Sequence, residues 1–219
     1  MRIDNYKKYK FKDYPVLGIL TELDFTDTSN MKIIPHEEIE NQIEGNDLNL
    51  VNSFEPLLFC TDIPDLNFTD NQGIEIDYLT LLDGHHRYDF IKRNNINTLL
   101  KAVIVSKEDV KVSSHLSKLK VSEEEFYNFL NDNNFKINND SKLYLNLDDI
   151  KYSSDDVTDI YKLYDFKRKC FENGLITSFP NDINNNEKSL VTFSPINLDE
   201  FYEDGYLFPP KSTWITPRL

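Results

Sequence analysis

Cysteine is scarce in this chain of 219 residues, with only Cys60 and Cys170, each among apolar neighbours (LLFCTD and KRKCFENG). No C-x-x-C spacing exists, so neither a zinc site of that type nor a dithiol redox pair is encoded. Both thiols are expected to be reduced and buried. Cations are outnumbered: 24 Lys and Arg stand against 38 Asp and Glu, giving a net charge of -14 and a pI near 4.7. Such a surface repels nucleic acid and anionic membranes, so neither is expected as a partner. No apolar run approaches the roughly 20 residues that span a bilayer. The opening MRIDNYKKYKFKDY is basic but lacks the apolar stretch of a signal peptide, so the protein reads as cytoplasmic.

What the chain does have is a core. Hydrophobic residues make up 39%, with 15 Phe and 12 Tyr, enough to fold rather than stay disordered. The length suits one large domain or two small ones. Strands are predicted at 15–25, 55–61, 75–82 and 99–106, the last a continuous apolar run suited to a central position. A short acidic helix is predicted after Pro35, over 35–52, and a helix over 85–95 that ends at Asn94-Asn95. Residues 62–73 read as a loop. Strand, turn, helix and strand between 75 and 106 form a βαβ-like unit. Beyond a boundary near 110, Ser122 and Glu125 form a capping box before a helix over 122–133. A second helix is predicted over 155–173, a polar loop over 181–188 and a strand over 189–196. The fold class is therefore α/β, or α+β, in two domains, 1–110 and 111–219.

The densest chemistry lies in Thr80–Phe90, TLLDGHHRYDF, which holds two of the four histidines. A strand that ends in Asp83-Gly84 and opens a helix presents unsatisfied backbone N–H groups to an anion. Gly84 allows close backbone approach, and Arg87 lies one turn in, able to fork onto phosphate oxygens. His85 and His86 donate hydrogen bonds without full charge at pH 7. The alternative is that Asp83 caps the helix and the basic side chains sit in solvent. No metal ligand set is read here, because adjacent histidines on a helix diverge and no third ligand stands at i+4.

Two further clusters accompany it. In Pro35-His36-Glu37-Glu38 a carboxylate is placed to act as a general base at a site mouth, although Glu in a first helical turn is also ordinary dipole chemistry. In Phe208-Pro209-Pro210-Lys211-Ser212-Thr213-Trp214, two prolines stiffen a run of phosphate-capable donors. It lacks the glycines of a Walker loop, and the alternative is a tail that packs its Trp onto the core. His115, in VSSHLSKLK, has no partner in sequence and reads as surface or packed.

Together these clusters resemble known proteins. LLDGHHRYDF resembles the G-x-x-R phosphate-binding turn of the ParB/sulfiredoxin-like fold. It lacks the cysteine of sulfiredoxin, and neither the helix-turn-helix nor the basic surface of the ParB proteins is found. The chain is more similar to the free serine kinase group (SerK and SbnI), whose Pro-His-Glu, Asp-Gly-His-His-Arg and late Pro-Lys-Ser/Thr-Thr match Pro35–Glu37, Asp83–Arg87 and Pro210–Thr213 in order. It also resembles an uncharacterised bacterial family with DGHHRYE and PPKST motifs. The resemblance implies a ParB/sulfiredoxin-like N-terminal domain and a smaller α/β C-terminal domain that together form a cleft.

It further implies transfer of a phosphoryl group from ATP or ADP, with Mg²⁺ on the donor phosphates, to the hydroxyl of free L-serine. Glu37 would be the base and Asp83 would hold the substrate or orient its hydroxyl. Gly84, His85, His86 and Arg87 would hold the donor phosphates. His36, Lys211, Ser212 and Thr213 would contact substrate or phosphate. The alternative is a regulatory module of the same fold that binds a nucleotide without transferring phosphate.

Overall fold

The computed structural model describes residues 1–33, 51, 55–64, 66, 73–96, 99–179, 188–202, 206–209 and 211–219. The expected helix over 35–52, most of the 62–73 loop and nearly all of the 181–188 loop lie outside the described residues. Contacts divide the chain into two compact units. The first holds the described residues up to Lys111 together with Ile215–Leu219, and the second runs from Val112 to Trp214.

The first unit contains β1 (Arg2–Ile3), β2 (Tyr6–Lys10), β3 (Leu17–Asp24), β4 (Met31–Ile33), β5 (Leu57–Thr61), β6 (Ile74–Glu75), β7 (Leu79–Asp83), α1 (His85–Arg93) and β8 (Leu99–Ser106). Its main sheet has the order β2-β3-β8-β5-β7-β4. The apolar run 99–106 is indeed interior, because β8 pairs antiparallel with β3 and parallel with β5. Flanked on both edges and covered on both faces, its last five residues are all buried. Tyr88, Phe90 and Ile91 of α1 pack with Ile19, Phe59, Leu81 and Ile104 of the sheet in one apolar cluster.

Two expectations are corrected here. The run 75–82 is not one strand: β6 pairs with β1, whereas β7 pairs with β4 and β5. The alternation is the same on both sides of the break, and the change of pairing partner is what splits it. The βαβ-like unit is not a parallel crossover either. β5 lies between β7 and β8, antiparallel to the first and parallel to the second, so β7 and β8 run in opposite directions. A sequence reading sees strand, helix and strand in succession but not the strand that inserts between them.

After a 3-10 turn at Lys107–Asp109, the chain forms β9 (Lys111–Ser114), β10 (Ser117–Leu119), α2 (Glu123–Asp132), β11 (Lys136–Ile137), β12 (Leu145–Leu147), β13 (Ile150–Ser153), α3 (Ile160–Glu172), β14 (Ile176–Ser178), β15 (Leu190–Phe193) and β16 (Thr213–Thr216). The sheet of the second unit has the order β11-β13-β12-β15-β10-β14, with antiparallel neighbours throughout. β9 and β16 pair as a separate two-stranded ladder. The serine half of the expected capping box forms: the Ser122 hydroxyl accepts from the Glu125 N–H at 3.2 Å. Ser122→Ala is expected to cost about 1 kcal/mol in urea unfolding. α3 starts at Ile160 rather than 155, because the Asp159 carboxylate accepts from the Lys162 N–H at 2.9 Å and caps the helix there. The strand at 189–196 is shorter than expected, at Leu190–Phe193. Both cysteines are free and buried.

Candidate functional site

The turn between β7 and α1 is built on Gly84. Its backbone is left-handed, at φ 97°, ψ 23°, and it stands at the helix N-cap. Gly84 has no side chain with which to cap the helix, and no acidic residue lies in its first turn. Asp83 does not cap α1, and the dipole at the helix start favours an anion. The first intrahelical bond runs from the Tyr88 N–H to the Gly84 carbonyl at 2.9 Å.

Asp83 instead faces two guanidinium groups. Its Oδ2 lies 3.7 Å from Arg87 Nη2, and its Oδ1 lies 3.4 Å from Arg218 Nη2. Arg87 is also tied down: its Nη1 donates to the Glu55 carbonyl at 2.6 Å and the Pro56 carbonyl at 3.1 Å, just before β5. Its side chain is 17% exposed. The spacing of the G-x-x-R run has a direct cause in this geometry. A Cβ on residue 84 would lie 2.9 Å from Arg87 Nη2 and 2.4 Å from Leu57 Cδ2, so a side chain there would push against both the arginine folded over the turn and the buried leucine. His85 is half-buried and His86 exposed.

Lys211, Ser212 and Thr213 belong to the second unit. Lys211 is exposed and sits at φ 54°, in the left-handed region. Ser212 is fully buried; its hydroxyl donates to the Pro209 carbonyl and its own carbonyl is a hub. That carbonyl accepts from the His115 N–H at 3.3 Å, from the Tyr164 hydroxyl at 3.3 Å and from Lys167 Nζ at 3.4 Å. Lys167 Nζ also donates to the Lys211 carbonyl at 2.7 Å. The turn is thus held from below by a lysine with no exposed surface. Burial lowers the Lys167 ammonium to about 7 and raises the Cys170 thiol to about 12; it raises the Tyr164 phenol as well. His115 is packed, 5.7 Å edge-on to Trp214.

His36 and Glu37 lie outside the described residues. Among the described residues, no group of three or more His, Cys, Asp or Glu side chains is placed to hold a metal. Asp83, engaged by two arginines, does not fit a resident metal site. A concavity of about 760 Å³ in the first unit lies along β2, β3 and β8, lined by Lys7, Lys8, Glu22 and Lys101 among others, and none of its described lining residues was singled out by sequence.

Two participants escaped the sequence reading. Lys167 carried a usable signal: it falls at i+4 from Leu163 and i+3 before Cys170, on the apolar stripe of α3, where a lysine is out of place. Arg218 carried none, because nothing in TPRL distinguishes it from a solvent-exposed arginine.

No family model matches the chain, and no curated protein matches it in sequence. Solved structures do match. SbnI with a C-terminal truncation, from Staphylococcus aureus, superposes with a TM-score of 0.55 at 11% identity, covering 90% of this chain and 82% of that one. A mutant of free serine kinase in complex with AMP gives 0.52 at 18% identity, covering 96% and 92%. Another mutant, in complex with ADP, gives 0.50 at 16%, covering 95% and 92%. Over nearly its whole length, then, this α+β chain has the fold shared by SbnI and free serine kinase.

Proposed function

We propose that the protein is a nucleotide-dependent kinase that phosphorylates the hydroxyl of a small metabolite, foremost free L-serine, to give O-phosphoserine. The observation that carries this reading is the β7–α1 turn: a helix that starts at a left-handed glycine, with no acidic residue in its first turn, beside an aspartate faced by two guanidinium groups. The turn concentrates anion-binding groups in a chain of net charge -14, where phosphate binding must be built locally. The likeness in fold to free serine kinase supports the same reading.

In this reading the amides of the turn and the side chains of His85, His86 and Arg87 hold the donor phosphates. Asp83 orients the acceptor hydroxyl. Glu37, with His36 beside it, accepts the hydroxyl proton as the serine oxygen bonds to the terminal phosphorus of ATP or ADP. The bond from that phosphorus to the departing nucleotide breaks, and the nucleotide leaves one phosphate shorter. Lys211 and Thr213 contact substrate or phosphate. Given the inward hydroxyl of Ser212, its contribution is to shape the turn that presents Lys211 and Thr213. Mg²⁺ enters on the nucleotide and neutralises phosphate charge.

The purified protein incubated with L-serine, Mg²⁺ and either ATP or ADP is expected to yield phosphoserine by mass spectrometry. Glu37→Gln is expected to suppress it. Absence of product with both nucleotides overturns the assignment, and undiminished product from Glu37→Gln removes Glu37 from the role of base.

A further inference from the structure

We infer that Lys167 is a positioning residue for phosphate, acting from beneath the Lys211–Thr213 turn: a phosphate held at that turn is the counter-ion of its buried side chain, and binds together with a proton taken up at Nζ. The inference rests on the reading of Lys211 and Thr213 as phosphate contacts given above. Lys167 is fully buried, and its Nζ donates to two uncharged oxygens, the Lys211 carbonyl at 2.7 Å and the Ser212 carbonyl at 3.4 Å. The Tyr164 and Phe193 rings lie 5.4 and 5.2 Å from it. Among the described residues no carboxylate stands within ion-pair distance of Nζ. Burying an ammonium without a counter-ion is costly, and protein interiors normally avoid it.

Holding the turn does not require the charge. A neutral amine has two N–H bonds, enough for both carbonyls. The Ser212 carbonyl also accepts from the Tyr164 hydroxyl and the His115 N–H, each at 3.3 Å. With the bond from the Ser212 hydroxyl to the Pro209 carbonyl, these contacts keep Lys211, a non-glycine residue, at φ 54°. Burial brings the Lys167 ammonium to about 7, so near neutral pH the side chain is poised between its two states. A phosphate at the turn lies one peptide layer away, where charge is poorly screened, and it favours the charged form. The groups that face Nζ leave this part to the ligand. On α3 itself, Tyr164 and Cys170 are both raised by burial and stay neutral through pH 9. The turn brings the Lys211 ammonium, a like charge, β15 brings the uncharged Phe193 ring, and the segment after β9 brings His115.

Calorimetry of ADP binding to the full chain, at pH 8 in buffers of different ionisation enthalpy, tests this. At that pH the ligand's own phosphates are already ionised. The parent is expected to take up about 0.4 to 0.8 proton per ADP, the amount that follows when the ligand raises the lysine by about one to two pH units. Its affinity is expected to fall by roughly fivefold or more from pH 7 to pH 9, because the charged form that the ligand favours is lost as pH rises. In Lys167→Met both the uptake and the fall are expected to disappear. Should that variant not fold, carbon-13 NMR of the lysine Cε signals in the parent decides: one lysine that titrates near pH 7 must move upward when ADP is added. If the parent binds ADP without proton uptake, if that lysine does not move, or if the uptake persists in Lys167→Met, the inference is overturned while the kinase reading stands. If the parent binds neither ADP nor ATP, the kinase reading falls and takes the inference with it.

Discussion

Between pH 7 and pH 9 the protein is expected to become more stable as pH rises, and Lys167→Met is expected to abolish the rise. The Lys167 ammonium is buried, and burial lowers its pKa from the ordinary 10.5 to about 7. In that interval the unfolded chain holds a proton on this lysine that the folded chain has largely released. Stability therefore grows with pH, by up to about 1.4 kcal/mol per unit. The groups packed around Nζ are the Lys211 and Ser212 carbonyls, the Tyr164 and Phe193 rings, and Cys170 one turn along α3. Cys170 and Tyr164 are both raised by burial, from ordinary values of 9.0 and 10.0. Their sign is opposite: above pH 9 the unfolded chain loses protons that the folded chain keeps, and stability falls.

Urea midpoints of the parent should thus climb from pH 7, gain about 2 to 3 kcal/mol by pH 9, and then turn over. Lys167→Met keeps the volume and removes the titrating group. It should show only the fall, and at every pH it leaves the Lys211 carbonyl without its 2.7 Å donor. A parent curve that is flat or declining from pH 7 to 9, superimposable on that of Lys167→Met, would refute the account. The same pair bears on the kinase reading, because Lys167 holds the turn that carries Lys211 and Thr213.

Gly84→Ala is expected to destabilise the protein by about 2 to 5 kcal/mol, far more than a glycine-to-alanine change costs in an ordinary loop. Two causes add. A non-glycine residue at φ 97° is strained by about 1 to 2 kcal/mol. The new Cβ also falls 2.4 Å from Leu57 Cδ2, in a buried residue, and 2.9 Å from the Arg87 guanidinium, and crowding of that kind costs about 1 to 3 kcal/mol. Because the second cause involves Arg87, the two sites are coupled. Gly84→Ala is expected to be milder by about 1 kcal/mol in an Arg87→Ala background, where no guanidinium lies over the turn. Strict additivity in denaturant unfolding would show that crowding against the Arg87 guanidinium contributes nothing to the need for glycine.

The legibility of this chain follows the range of the forces involved. β3, β5, β8, α1 and α2 were readable because their signals are local: alternation, a continuous apolar run, a capping box, an asparagine pair at a helix end. The β7–α1 turn was readable for the same reason, since strand, Asp83-Gly84 and helix are consecutive. Whether Asp83 capped that helix was not. Its carboxylate had two possible engagements, and the choice went to arginines: Arg87 one turn on and Arg218, 135 residues away.

Composition and short-range pattern by themselves determined that this acidic chain folds into strands and helices, places a glycine at a helix start and gathers histidine and arginine there. Tertiary structure alone decided that β5 inserts between β7 and β8, that Arg87 ties down the entry to β5, and that Lys167 is buried beneath the Lys211–Ser212 turn. The reason is physical. Capping and periodicity are set within a turn or two of chain, whereas strand order, ion pairing and burial depend on which distant segments share the same low-dielectric space.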